Sequence, residues 1–243
     1  MTDGDAVPLI VLPGALGPLE AGAPESRLGP EQAVRAIDYR AGDRLGPLIA
    51  RIVAAADGDG RFDLLGQSYG GWIAQCVARA HPGRVRRLVL SHSFALERRD
   101  RWRFRLGRAM IRRLPVRLLS GLLAGRVRTV LAPVAARDPA LAGRLAAMLI
   151  ERMGEPEFRA VLAAQQACLA DSLAEPFTSW PPSPDLPVLI IDSDEDPMVP
   201  PAAREKLRSQ YPGAVARRFP GAGHVSALAE PEAYWGAVAA FLR

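Results

Sequence analysis

Short runs of aliphatic and β-branched residues alternate along this chain with longer segments whose apolar residues recur every three or four positions. The first pattern reads as buried strand and the second as amphipathic helix. Val7–Leu12, Ala33–Tyr39, Phe62–Leu65, Val85–Leu90, Val188–Ile191 and Val215–Phe219 predict six strands. Leu45–Ala56 has helical spacing through Leu45, Leu48, Ile49, Ile52 and Val53, and stops before Asp57-Gly58-Asp59-Gly60. A helix from Trp72 to Ala80 stops at Pro82-Gly83, and two more are predicted over Ala202–Tyr211 and Glu232–Leu242. Near-continuous apolar strands separated by helices indicate an α/β fold, with a mostly parallel six-stranded sheet covered on both faces.

The alternation breaks once. From Glu97 to about Trp180 the strand signal disappears, and Arg98–Leu114, Val116–Leu131, Pro139–Met153 and Glu157–Leu173 all read as helices. Trp180-Pro181-Pro182-Ser183-Pro184 closes the block. The expected organisation is therefore one core built from residues 1–96 and 181–243, with residues 97–180 inserted as a helical cap. Such a cap would lie over the carboxyl edge of the sheet, where open α/β sheets bind ligands.

Bulk properties narrow the class. A chain of 243 residues, 49% apolar and 23% charged, suits a single globular domain. The N-terminus carries no basic segment followed by an apolar one, so no secretion signal is read and a cytoplasmic location is expected. The most apolar long stretch, Leu118–Ala136, is interrupted by Arg126 and Arg128, which argues against a membrane span. Cys76 and Cys168 form neither a disulfide framework nor a metal pattern, and Cys76 reads as a small buried hydrophobe. The net charge of +5 is unevenly spread. Residues 97–128 hold eleven arginines against Glu97 and Asp100, a local balance of +9, which leaves about −4 elsewhere.

The candidate chemistry begins at Gly66-Gln67-Ser68-Tyr69-Gly70-Gly71, between a predicted strand and a predicted helix. A Gly-x-Ser-x-Gly in that context is the sequence form of a nucleophile elbow. So sharp a turn strains the serine backbone and leaves no room for side chains two residues before and after it, which are Gly66 and Gly70. Ser68 is thereby raised at the N-terminus of a helix.

A serine hydroxyl needs a base, and the base an orienting acid. The chain has three histidines. His81, before Pro82, reads as a helix-end residue favoured by the dipole. His92 follows the fourth strand too closely to swing over Ser68, and is expected to line the substrate site. His224 lies in Gly221-Ala222-Gly223-His224, a loop after the last strand that can reach across the sheet edge, and is the expected base. The acid is sought in Asp192-Ser193-Asp194-Glu195-Asp196-Pro197. Asp196 is preferred because Pro197 fixes the backbone beside it, with Asp192 as the alternative. A metal on these carboxylates is disfavoured by their spacing and by the lack of a nearby histidine in sequence. The order Ser68, Asp196, His224 is the one an α/β-hydrolase needs. Oxyanion donors are expected from the backbone N–H groups of Tyr69 and of Ala15, in the loop Leu12-Pro13-Gly14-Ala15-Leu16-Gly17. Leu16, Trp72, Val199 and Val225, neighbours in sequence of these groups, are expected beside the acyl group.

With these motifs the chain resembles the α/β-hydrolase superfamily over nearly its whole length. Leu12-Pro13-Gly14, the elbow, Asp196-Pro197-Met198-Val199-Pro200 and Pro220-Gly221-Ala222-Gly223-His224 carry the resemblance. Many members have His-Gly where this chain has Pro13-Gly14, and the chain opens on what would be the family's third strand. Leu90-Ser91-His92-Ser93-Phe94 and Arg208-Ser209-Gln210-Tyr211-Pro212-Gly213-Ala214 resemble the maspardin branch. The superfamily implies a Ser-Asp-His triad, an acyl-enzyme and no cofactor. The expected function is hydrolysis of a carboxylic ester or thioester. Carbon–carbon or amide hydrolysis on the same residues is one alternative, and a non-catalytic maspardin-like scaffold is the other.

Arg101, Arg105, Arg108 and Arg112 share one helix face opposite Trp102, Leu106, Ala109 and Met110. Attraction of an anionic acyl substrate or acidic membrane is one reading. A solvated arginine face, with the apolar side packed on the core, is preferred. No nucleic-acid motif accompanies the charge.

Overall fold

The computed structural model describes residues 7–17, 25–56, 60–95 and 101–243. In chain order the elements are β1 (Leu9–Leu12), α1 (Glu25–Leu28), β2 (Val34–Ala36), α2 (Leu45–Ala54), β3 (Phe62–Gln67), α3 (Tyr69–Ala80) and β4 (Val85–Ser91). Four helices follow, α4 (Arg101–Arg113), α5 (Val116–Arg137), α6 (Pro139–Met153) and α7 (Pro156–Ser172), then a 3₁₀ turn at Pro176–Ser179. The chain ends with β5 (Val188–Asp192), α8 (Pro201–Gln210), β6 (Val215–Arg218), α9 (Ser226–Ala229) and α10 (Pro231–Leu242).

The six strands form one sheet in the order β2-β1-β3-β4-β5-β6, and every pairing is parallel. The order reverses direction at β1, so the carboxyl ends of β1 and β3 flank the crevice where an open sheet takes ligands. The central strands are apolar runs buried along their length because helices cover both faces. β2 and β6 are the edges. β6 reads Val-Ala-Arg-Arg and all four residues are exposed, and charge on an edge discourages pairing with another chain. Each face has its own apolar cluster. One joins α2, α3 and α7 to the sheet through Ile49, Ile73, Trp72 and Leu169. The other joins α5, α6 and α10 through Leu131, Leu149, Trp235 and Val238.

Two expectations change. The second helix of the inserted block does not stop at Leu131 but runs to Arg137 with Pro133 inside it. More consequentially, α4 does not pack with the side that carries Trp102, Leu106 and Met110. These three are 63%, 51% and 44% exposed. The helix instead seats Phe104 against Trp72 and sets Gly107 against Gln166 of α7, while Ile111 packs on the second apolar cluster. A face chosen by the single bulky ring of Phe104 and a close approach at glycine overrides the more apolar stripe. Among the described residues, no helix is long and apolar enough to cross a membrane.

Candidate active site

The turn between β3 and α3 has the conformation the glycines foretell. Ser68 has φ 52° and ψ −113°, a left-handed backbone for a residue with a Cβ. A Cβ at Gly66 would sit 2.4 Å from the Gly70 carbonyl oxygen, and one at Gly70 would sit 2.1 Å from the Leu12 carbonyl oxygen. Neither position accepts any other residue without moving the backbone. The strained turn is held from β4: the Ser68 N–H donates to the Ser91 carbonyl at 2.8 Å, and the Ser93 hydroxyl donates to the Ser68 carbonyl at 3.1 Å. Ser68 thus stands at the N-terminus of α3, where the Tyr69 N–H has no partner within the helix.

His224 reaches the same place from the loop after β6. Gly223 has φ 59°, and a Cβ there would meet Cγ of Pro133 at 2.7 Å. The proline inside α5 therefore leaves no room for a side chain at Gly223 in the loop that carries the imidazole. His224 Nδ1–H donates to both oxygens of Asp196, at 2.9 and 2.8 Å. A carboxylate accepts only, so Nδ1 carries the proton and Nε2 is left as the acceptor of the neutral ring. Asp196 Oδ1 also accepts from the N–H groups of Met198 and Val199, at 2.8 and 3.1 Å. Burial acts to raise the Asp196 pKa, but hydrogen bonds from His224 and His92, together with the Met198 N–H, outweigh it and hold the carboxyl well below the usual range. Asp192, the alternative acid, is turned away and pairs with Arg208 and Arg218.

Ser68 and His224 line one cavity of about 300 Å³, together with Gly14, Ala15, Leu16 and Val225. Its walls otherwise come from the inserted helices: Ile111 of α4, Leu123, Val127, Val130 and Leu131 of α5, Leu149 and Met153 of α6, Leu162 of α7. Gln166 of α7 and Arg126 of α5 are the polar side chains among these, and Gln67 at the end of β3 and Met198 in the loop after β5 add to the lining. The loop after β1 is tied at three carbonyls. Pro13 accepts from the Tyr39 hydroxyl at 2.8 Å, Gly14 from the Gly17 N–H at 3.0 Å, and Ala15 from Gln165 Nε2 of α7 at 3.0 Å. With the Gly14 carbonyl engaged, the trans peptide aims the Ala15 N–H the opposite way.

Three of the side chains expected beside the acyl group lie elsewhere. Trp72 is buried on the far side of α3, where its Nε1–H donates to the Ser172 hydroxyl at 2.8 Å and its ring meets Phe94 and Phe104 edge-on. Val199 is fully buried beneath the turn that carries Asp196. His92 does not line the cavity but sits behind Asp196: its Nδ1 is 3.0 Å from Asp196 Oδ2 and its Nε2 is 2.8 Å from the Ser226 hydroxyl. Met198, Gln166, Arg126 and the α5 side chains were not anticipated. The helical periodicity of the insertion shows that it has an inner face but not which residues meet the elbow. Both cysteines are buried, and burial pushes the thiols up to about 12 at Cys76 and about 11 at Cys168, so neither is a ready nucleophile. His92, Asp196 and His224 lie close enough to suggest a metal site. The Nδ1–H groups of both imidazoles are spent on Asp196, whose Oδ1 also accepts from the Met198 and Val199 N–H groups, and His92 Nε2 meets Ser226, so the three form a hydrogen-bonded cluster rather than a set of open ligands.

The model of the alpha/beta hydrolase family matches residues 7–237, and the chain belongs to that family. Among solved structures it is similar to a hydrolase from Pseudomonas aeruginosa PA01 (TM-score 0.78, 23% identity, 99% of this chain and 91% of that one). It is also similar to an enol-lactonase from Burkholderia xenovorans LB400 (TM-score 0.74, 19% identity, 98% and 92% covered) and to the esterase RhEst1 from Rhodococcus sp. ECU1013 (TM-score 0.71, 19% identity, 98% and 90% covered). These likenesses establish the fold. A curated relative, the polyketide synthase ThaQ of Burkholderia thailandensis, is 34% identical over 216 residues, 88% of this chain but only 10% of that protein's length. The matches support the superfamily and do not extend to the maspardin branch.

Proposed function

We propose that the chain is a serine hydrolase that cleaves a carboxylic ester or thioester through an acyl-enzyme. The observation that carries this is the junction of a strained Ser68 and an Asp196-bound His224 on one largely apolar cavity. In this reading His224 Nε2 takes the Ser68 proton as Oγ attacks the acyl carbon. The Ala15 and Tyr69 N–H groups stabilise the oxyanion. The imidazolium then protonates the leaving group, and water, activated by the same ring, releases the acid. Asp196 holds the imidazole in the Nδ1–H tautomer throughout. The apolar walls suit an acyl chain. Likeness to a stretch of a polyketide synthase, by its name a builder of acyl chains, supports an acyl ester or thioester over a small amide. The reaction calls on no cofactor.

A fluorophosphonate probe tests the reading. The wild-type chain should be labelled on Ser68 and turn over acyl esters or thioesters of graded length, while Ser68→Ala should be neither labelled nor active. A wild-type chain that resists the probe and hydrolyses none of the panel would favour a binding protein on an inherited fold.

A further inference from the structure

His92 takes no step in the reaction written above, yet it is built into the site. It is 1% exposed, directly follows β4, and has φ 48°, a left-handed conformation unusual outside glycine. Only Ser68 shares that feature among the described non-glycine residues. Its backbone N–H donates to the Ile191 carbonyl at 2.8 Å, which fixes the backbone of His92 beside the end of β5. There the ring meets Asp196 on one edge and Ser226 on the other. Asp196 accepts, so His92 Nδ1–H donates and Nε2 accepts from the Ser226 O–H. The two imidazoles face each other edge-on, 5.5 Å between centroids, with one carboxylate between them.

We propose that His92 is a positioning residue for the hydrolytic triad: a second, neutral imidazole that pins Asp196 Oδ2 and limits how much of the carboxylate's charge reaches His224. This rests on the serine-hydrolase reading above. The physical argument has two parts. A buried carboxylate with a single imidazole partner is free to swing about its Cβ–Cγ bond, and the base swings with it. Asp196 is instead fixed on both oxygens, Oδ1 by two backbone N–H groups and Oδ2 by His92. Each donor also stabilises the anion and so withdraws charge from its bond to His224. Removing the His92 donor therefore leaves a looser acid that attracts a proton on His224 more strongly. The charged groups around His92 are few. Asp196 and His224 face it from the loops after β5 and β6, and Asp192 acts from the end of β5, itself paired with Arg208 and Arg218. Burial lowers the His92 pKa, and His224 lowers it further against the pull of Asp196, so the ring is neutral at neutral pH.

The test compares His92→Phe, which fills the same space without a donor, with His92→Asn, whose amide can donate to Asp196 and whose backbone tolerates positive φ. The probe is a chromogenic acyl ester, with kcat and KM read from pH 5 to 9. His92→Phe should lose roughly tenfold or more in kcat with little change in KM. The acid limb of its profile should move upward by about half a unit or more. His92→Asn should recover most of both. Thermal melting separates loss of fold, and should His92→Phe not fold, Ser226→Ala serves, with a smaller shift of the same sign. Proton NMR titration of the His224 ring in wild type, His92→Asn and the donor-free variant reads the same coupling without turnover. Unchanged pH profiles and His224 titrations in the donor-free variants would overturn the inference while Ser68 labelling leaves the hydrolase reading standing. Absence of wild-type labelling overturns that reading and, with it, the role assigned to His92.

Discussion

Asp196→Asn puts the tightest demand on the site. Oδ1 accepts from three N–H groups, those of Met198, Val199 and His224, whereas Oδ2 faces only the two imidazoles. In the variant the amide oxygen must therefore take the Oδ1 position, since an NH₂ there would oppose two backbone donors. The NH₂ group then points at Nδ1 of both His224 and His92. To avoid a donor–donor clash His224 must move its proton to Nε2, the atom required to receive the serine proton. The cavity, the elbow and the loop after β1 are untouched, so substrate binding should persist. The expected loss is ~10⁴ in kcat, about 5.5 kcal/mol of transition-state stabilisation, with KM within a few-fold of wild type. Steady-state kinetics on an acyl ester that the wild-type enzyme turns over, with the melting temperature recorded alongside, makes the measurement. A variant that keeps kcat within tenfold of wild type while remaining folded would show that the carboxylate does not set the tautomer, and the assignment of Asp196 as the acid would fall.

Stability should depend on pH in a definite direction. The folded pKa values of His92 and Asp196 both lie below their ordinary values, so the unfolded chain binds more protons through each window. The melting temperature should fall as pH drops below about 6.5, where the unfolded imidazole takes up its proton, and fall again below about 4 as Asp196 begins to count. The His92→Asn variant should lose the first slope and keep the second. A flat melting temperature between pH 7 and 5 in the wild-type chain would contradict the buried, neutral ring. Trp72→Phe removes the indole bond to Ser172 and part of a buried ring. A loss of about 1–3 kcal/mol, read as a lower denaturation midpoint, is expected with KM for acyl esters unchanged. A raised KM with normal stability would return Trp72 to the acyl pocket.

Much of the fold was legible because it follows from local chemistry. Buried strands of a parallel sheet must be apolar along their length, and the helices between them must show a helical period, so the six strands and the long helices other than α5 fell within a few residues of their observed positions. The short helices α1 and α9 and the 3₁₀ turn carry too few residues to show a period. The elbow was legible for a different reason: at Gly66 and Gly70 the backbone comes so close that any side chain is excluded. The partner faces of the inserted helices were not legible. In α4 a stripe of Trp102, Leu106 and Met110 promises the inner face, yet Phe104, Gly107 and Ile111 take it.

What the sequence by itself determined is the sheet, the turn at Ser68, and the candidates His224 and Asp196, since each depends on a short motif whose geometry is fixed by neighbouring residues. Only the tertiary structure decided which carboxylate faces the imidazole, because Asp192 and Asp196 are four residues apart and differ in whether arginines from α8 and β6 or a histidine from beyond β6 meets them. It likewise decided that Trp72 faces away from the cavity and that His92 stands behind Asp196. Hydrogen bonds between residues 104 and 134 positions apart leave no trace in local pattern; they exist only once β4, β5 and the loop after β6 lie side by side.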